Sequence, residues 1–183
     1  MDTIMPQASG ASWIEKIQTV GVVGAGQMGN GIAHVASLAG YDVLLSDVAE
    51  DALNRALSNI SRNMDRQAKR GLISEEEMAE GLARIKTEVA VEGLKDCDIV
   101  VEAATENETV KREILKSLSA VIKPDAIIAT NTSSISITRL AAATDRPEKF
   151  MGMHFMNPVP MMKLVELIRG LATDEGTYAT VRD

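Results

Sequence analysis

The chain is poor in the side chains that cross-link or stack. Cysteine occurs once, at Cys97, so no disulfide can close within the 183 residues. A lone thiol is the usage of a reducing compartment, and it predicts a cytoplasmic protein. Asp96 and Asp98 flank that thiol and disfavour its thiolate. The expectation is therefore a half-buried cysteine before a strand, not a nucleophile. One Trp, two Tyr and two Phe are the only aromatic residues, which leaves the interior to Leu, Ile, Val, Ala and Met. Histidine occurs twice, at His34 and His154. No stretch approaches the roughly 18 consecutive apolar residues of a membrane-spanning helix. Positive charge is also short: the net charge of −7 repels phosphate backbones and argues against a nucleic-acid partner. No metal site is expected.

What is present suits one globular domain, with 45% apolar and 25% charged residues. Residues 1–16 stand apart. Met1 to Ser12 is small and polar, with no Arg and no apolar segment of the kind a secretory signal carries, so a loosely attached tail is expected. From Ile17 the pattern becomes regular. Ile17–Val23 reads as a strand, Met28 to Ala39 as a helix stopped by Gly40, and Tyr41–Ser46 as a second strand. Ala49–Arg70 is a long polar helix. Ser74 and Glu77 make a capping box for a short one. Further strands are expected at Ile85–Val89, Asp98–Ala103, Ala126–Thr130, Met151–Phe155 and Lys163–Ile168. Helices are expected at Asn107–Ile122 and Ile137–Ala143. Strands alternating with helices define an α/β domain with a mostly parallel sheet. Thr173–Asp183 reads as the start of a helix with nothing to pack it.

Gly24-Ala25-Gly26-Gln27-Met28-Gly29 follows the first strand and opens the first helix. In G-x-G-x-x-G the first glycine permits the tight turn, the second lets backbone approach a pyrophosphate, and the third lets helix and strand pack closely. Free N–H groups at the helix start then face the phosphates. Asp47 follows about 20 residues on, where a carboxylate bonds a ribose 2′-hydroxyl and repels a 2′-phosphate. The pattern therefore predicts NAD over NADP. The competing reading is a plain glycine turn with Asp47 as a surface acid.

Two later strands end in polar clusters, Glu102 to Asn107 and Asn131 to Ser134. Ligands of open α/β sheets bind outside the carboxyl ends of strands. Glu106 and Asn107 serve equally well as helix caps, and Asn131 and Ser133 as an ordinary turn. His154 closes an apolar strand before Asn157-Pro158-Val159-Pro160, and the chain returns through Lys163 to Glu166. Such a reversal can set Glu166 beside the imidazole, where a carboxylate fixes the tautomer and steadies the imidazolium of a general base. The alternative is a satisfied histidine at a strand end. His34, among small residues on a helix, reads as packing or surface.

Gly-Ala-Gly-Gln-Met-Gly, Val-Glu-Ala-Ala-Thr-Glu-Asn, Asn-Thr-Ser-Ser and His-Phe-Met-Asn-Pro-Val-Pro-Met-Met-Lys-Leu-Val-Glu occur in that order. From about Ile17 to the end the chain resembles the 3-hydroxyacyl-CoA dehydrogenases, more narrowly the bacterial 3-hydroxybutyryl-CoA dehydrogenases. The resemblance implies a Rossmann-like, doubly wound fold with helices on both faces of the sheet. It also implies an acyl-CoA substrate oxidised at its 3-hydroxyl, with hydride passing to NAD. By position, His154 matches the general base, Glu166 its carboxylate partner, and Ser133 the serine that bonds the substrate oxygen. Gly24, Ala25, Gly26, Gln27, Met28, Gly29 and Asp47 match cofactor contacts, as do Glu106, Lys111, Ser133 and Asn157. Asn131 falls on the substrate side. Arg66, Lys69 and Arg70 lie where relatives meet CoA, although a solvated helix face explains each as well. The resemblance further implies a helical domain after this one, absent here, that completes the acyl pocket and makes a homodimer. On that reading residues 17–172 are the dinucleotide domain, and 173–183 begin the link to the next. Two other readings stay open: an NAD-binding module without turnover, and a dehydrogenase of a hydroxy acid lacking CoA.

Overall fold

The computed structural model describes residues 17–183, so the expected tail at 1–16 lies outside the described residues. Strand β1 (Thr19–Val23) leads into α1 (Gln27–Leu38) and β2 (Asp42–Ser46). The long α2 (Glu50–Lys69), α3 (Glu75–Ala83) and β3 (Ile85–Glu88) follow. A 3-10 turn at Val91–Leu94 returns the chain to β4 (Ile99–Glu102). Then come α4 (Glu108–Val121), β5 (Ile127–Thr130), α5 (Ile137–Ala141), β6 (Phe150–Phe155), β7 (Val165–Arg169) and α6 (Glu175–Arg182). The sheet order is β3-β2-β1-β4-β5-β6-β7. All neighbours run parallel except β6 and β7. This is the mostly parallel α/β sheet that the alternating pattern predicts, wound in both directions as the family resemblance implies. Chain order reverses between β1 and β4, where such sheets open a crevice at the carboxyl ends of the strands.

The unbroken apolar runs of β4 and β5 have a simple cause. Successive side chains of a strand point to opposite faces, and helices cover both faces here. Ile99 and Val101 of β4, with Ile127 and Ala129 of β5, join the core beneath α1 and α2. Val100 and Ile128 join the core beneath α4 and α5. Helix α2 is polar overall but buries Leu53, Ala56, Ile60 and Met64, a stripe at helical spacing. Each large side chain of that stripe contributes about 1.5–3 kcal/mol of burial. The capping box at Ser74 and Glu77 is formed. None of the described helices is long and apolar enough to cross a membrane.

Two expectations need correction. The segment from Thr173 does pack. Thr173 and Thr177 are buried, and Thr173 Oγ1 donates to the Phe150 carbonyl at 2.6 Å while accepting from Gly170 N at 2.8 Å. Val181 lies against the α1-side core. Threonine reads as polar in a pattern, but a hydroxyl bonded to a backbone carbonyl buries at little cost. Cys97 is fully buried in the α4-side core rather than half-buried. Burial first, and the adjacent Asp98 second, push its thiol up to about 12. Asp98 itself ties the sheet together: one carboxylate oxygen accepts from Gln18 N and Thr19 N at 2.8 and 2.9 Å, and the other from Lys123.

His34 is buried on α1. Its Nε2 lies 2.9 Å from Gln67 Oε1 on α2, and its Nδ1 has no partner among the described residues. Burial lowers the imidazole pKa, and the bond to Gln67 offsets this only in part. Below about pH 6.5 the unfolded chain takes up a proton that the folded chain refuses, so stability falls as pH falls through that window. Carboxylates held low by folding, such as Asp98, act only near and below their own unfolded range of about 4. The urea midpoint should therefore drop between pH 7.5 and 5.5, and His34→Gln should flatten that drop. Equal slopes for the two proteins would contradict it.

Candidate active site

The glycine turn is shaped by contacts that admit no side chain. Gly24 has φ +100°, and a Cβ there would lie 2.5 Å from Ala104 Cα. A Cβ on Gly29 would lie 1.7 Å from the Gly24 carbonyl oxygen. A Cβ on Gly26 would meet nothing within 4 Å, so the space over that residue is open. Asp47, at the end of β2, bolts the turn in place: its Oδ2 accepts from Ala25 N at 2.8 Å and its Oδ1 from Ala49 N at 3.0 Å. An ionised carboxylate still has lone pairs to spare for a ligand hydroxyl. Gln27 Nε2 donates to Asn157 Oδ1 at 3.0 Å, joining the turn to the loop after β6. Met28 packs on the α1-side core.

The start of α1 has neither a side-chain cap nor an acid in its first turn. Every other described α-helix has one or the other. The unsatisfied N–H groups and the positive helix end thus face the open space over Gly26, as an anion requires. A dinucleotide pyrophosphate fits this cradle, and a ribose beside Asp47 fits the carboxylate.

The ends of β4 and β5 are joined by charge. Glu106 Oε1 accepts from Thr132 Oγ1 at 2.5 Å, Ser133 N at 3.0 Å, Ser133 Oγ at 3.3 Å and Ser134 Oγ at 3.2 Å. Burial alone would raise its pKa, but these bonds and the Lys111 charge outweigh burial and hold the carboxyl below the ordinary range. The cap of α4 is Asn107, which accepts from Val110 N at 3.1 Å. Glu106 is therefore not the cap of α4; its carboxylate bridges instead to the Asn131–Ser134 loop. Lys111 is buried, its Nζ 2.6 Å from Glu102 Oε2 and 4.0 Å from Glu106 Oε2. Thr130 Oγ1 donates to Glu102 Oε2 at 2.7 Å. Sequence reasoning placed Glu102 in a polar cluster without a role of its own and passed over Thr130. The available signal was phase, since Glu102 shares the α4-side face of β4 with Val100. Removing one partner from such a buried pair costs about 3–5 kcal/mol.

At the other end of the same edge, antiparallel pairing sets His154 opposite Glu166. His154 Nδ1 lies 2.9 Å from Glu166 Oε2, with side chains 21% and 54% exposed. An ionised carboxylate can only accept, so Nδ1 carries a proton, and in the neutral imidazole Nε2 is the nitrogen with the free lone pair. Asn131 Oδ1 accepts from Phe155 N at 2.8 Å, pinning the strand beside His154. Arg70 stands apart. It caps the far end of α2, about 30 Å along the helix from the Asp47 end at 1.5 Å per residue. Among the described residues no three His, Cys or carboxylate side chains gather as metal ligands.

A bare helix start over an open glycine turn, with an acid at the end of the next strand, defines a dinucleotide-binding domain. Residues 19–183 match the model of the 3-hydroxyacyl-CoA dehydrogenase NAD-binding domain, and the chain belongs to that family, with NAD as its cofactor. It is 57% identical over 167 residues to the 3-hydroxybutyryl-CoA dehydrogenase of Bradyrhizobium diazoefficiens, covering 91% of this chain and 57% of that protein. The crystal structure of (S)-3-hydroxybutyryl-CoA dehydrogenase PaaH1 from Ralstonia eutropha superposes with a TM-score of 0.89 at 49% identity. That match covers 91% of this chain and 59% of the other. The fatty acid oxidation complex subunit alpha of Idiomarina loihiensis is 44% identical over 167 residues, 91% of this chain and 23% of that subunit. The chain thus spans somewhat over half the length of the dehydrogenases that it matches.

Like charges forced together cost several kcal/mol. NAD should therefore bind at least about tenfold more tightly than NADP, and Asp47→Asn should narrow the gap chiefly by improving NADP binding. Calorimetric titration of both cofactors checks this. Comparable affinities in the unaltered protein would count against the role of Asp47.

Proposed function

We propose that this domain serves an L-3-hydroxyacyl-CoA dehydrogenase, 3-hydroxybutyryl-CoA being the first substrate to test. The observation that carries the reading is the His154–Glu166 pair on the carboxyl edge that also holds the dinucleotide cradle. Hydride acceptance is the chemistry that bound NAD supplies. His154 Nε2 takes the proton of the 3-hydroxyl as the C3–H bond breaks and the C3=O bond forms. The Glu166 carboxylate steadies the imidazolium through the Nδ1 proton. The Ser133 hydroxyl turns from Glu106 to bond the substrate oxygen. In the reverse direction the same imidazolium returns the proton to the reduced oxygen. A cytoplasmic setting and a homodimer belong to the same proposal, the first supported by the single thiol and the second testable by sedimentation.

A second reading rests on the cradle alone: the bare start of α1 and the Asp47 carboxylate suit a module that binds NAD and completes no reaction. Assay of the 183-residue chain with acetoacetyl-CoA and NADH separates the two, and robust turnover would contradict the module. In the complete protein, His154→Ala should lower turnover by about 10²–10⁴-fold, the usual worth of general acid–base catalysis. NAD affinity should change little, because the imidazole is hydrogen-bonded to Glu166 and not to the glycine turn or Asp47. Near-normal turnover would sink the assignment of His154.

A further inference from the structure

Glu102 is the least exposed carboxylate at the site's edge and belongs to none of the roles assigned above. It lies in register opposite Thr130, and both side chains are fully buried. One oxygen, Oε2, meets the Lys111 ammonium and the Thr130 hydroxyl. The other, Oε1, accepts from Ala104 N at 2.9 Å. Ala104 is the residue whose Cα would meet a Cβ on Gly24. Through Oε1, then, Glu102 fixes the backbone that the dinucleotide turn rests on.

Its second effect runs through Lys111. That ammonium has two carboxylates within 4.0 Å, Glu102 at 2.6 Å and Glu106 at 4.0 Å. The nearer one holds it. Glu106 is thereby left to the Asn131–Ser134 loop, where Oε1 collects Thr132, Ser133 and Ser134. Without the Glu102 charge, a buried ammonium with one carboxylate in reach would draw Glu106 toward itself and away from Ser133. A charge–charge contact in a buried site favours that exchange over the charge–dipole bonds that Glu106 makes to hydroxyl and amide donors.

We propose that Glu102 is a positioning residue that seats the β4–α4 loop beneath Gly24 and restrains Lys111, so that the dinucleotide turn and the Ser133 loop keep their shape together. The Ser133 half of the proposal rests on the dehydrogenase reading, and the Gly24 half does not.

The two halves have separate tests in the full chain. Glu102→Asp shortens the reach to Ala104 N but keeps the charge beside Lys111. Calorimetric titration with NAD should show affinity lower by roughly tenfold, the worth of one charge-assisted hydrogen bond. Unchanged NAD affinity would overturn the Gly24 half. If Glu102→Asp fails to fold, Glu102→Gln, whose neutral oxygen is a weaker acceptor for Ala104 N, carries the same NAD test. Glu102→Gln keeps shape and removes charge. Its turnover of acetoacetyl-CoA should fall to about that of Ser133→Ala, and the two changes combined should cost little more than either. Additive losses would overturn the Ser133 half. An unaltered protein without turnover would count against the dehydrogenase reading instead, and NAD titration would still decide the role of Glu102 at the turn.

Discussion

The structure depends on a close approach of backbones. The Gly24 peptide is held between the start of α1 and the loop after β4, with Gly29 on one side and Ala104 on the other. No side chain can enter either gap. That contact sets the angle at which α1 leaves the sheet and fixes where its unsatisfied N–H groups point. It also brings the β4–α4 loop against the β1–α1 turn at the reversal of strand order. A methyl group at Gly29 would have to displace the Gly24 carbonyl, and overpacking of this kind costs about 1–3 kcal/mol even where the surroundings yield. Here it would also tilt the helix whose positive end faces the cradle. Stability and ligand geometry meet at one contact.

Charge is distributed along the carboxyl edge in the same economical way. Asp47 serves the β2 end, Glu102 and Glu106 the β4 end, and Glu166 the β7 strand beside β6. Three of the four accept from backbone N–H groups, so carboxylates here act as fasteners as well as charges. The helix start at α1 is left without an acid. Anions are thus welcome at one point and discouraged along the rest of the edge.

Much of this was legible in the sequence. The glycine spacing, the acid about 20 residues on and the strand–helix alternation are local signals, and local signals survive folding. The pairing of His154 with Glu166 was legible because a proline-rich turn between two apolar strands leaves few ways to return. What stayed hidden depends on burial of groups that normally face water. The resemblance singled out Lys111 as a cofactor contact but not its depth: it sits on a helix rich in charge, and nothing in its neighbours marks it as more buried than Lys116. Only the sheet beneath, with Glu102 and Thr130 in phase, makes an interior ammonium tolerable. Cys97 was misjudged for a related reason. The flanking aspartates drew attention, but depth governs the thiol. The C-terminal segment was misjudged because threonines that bond backbone carbonyls leave no apolar pattern.

The β6–β7 hairpin carries a constraint of its own. His154 and Glu166 meet because they are cross-strand partners on one face of the sheet. Side chains along a strand alternate in direction, so a register slip of one residue would turn one of the pair to the opposite face. The bend between them is anchored as well, with Asn157 held by Gln27 and Val159 against Gly31. Change in this hairpin is therefore quantised. A substitution at most positions alters one contact, whereas a single inserted or deleted residue in either strand breaks the parity of the pair. Within the two strands, only changes of length by two residues, or by one residue absorbed in a bulge, leave His154 and Glu166 on the same face.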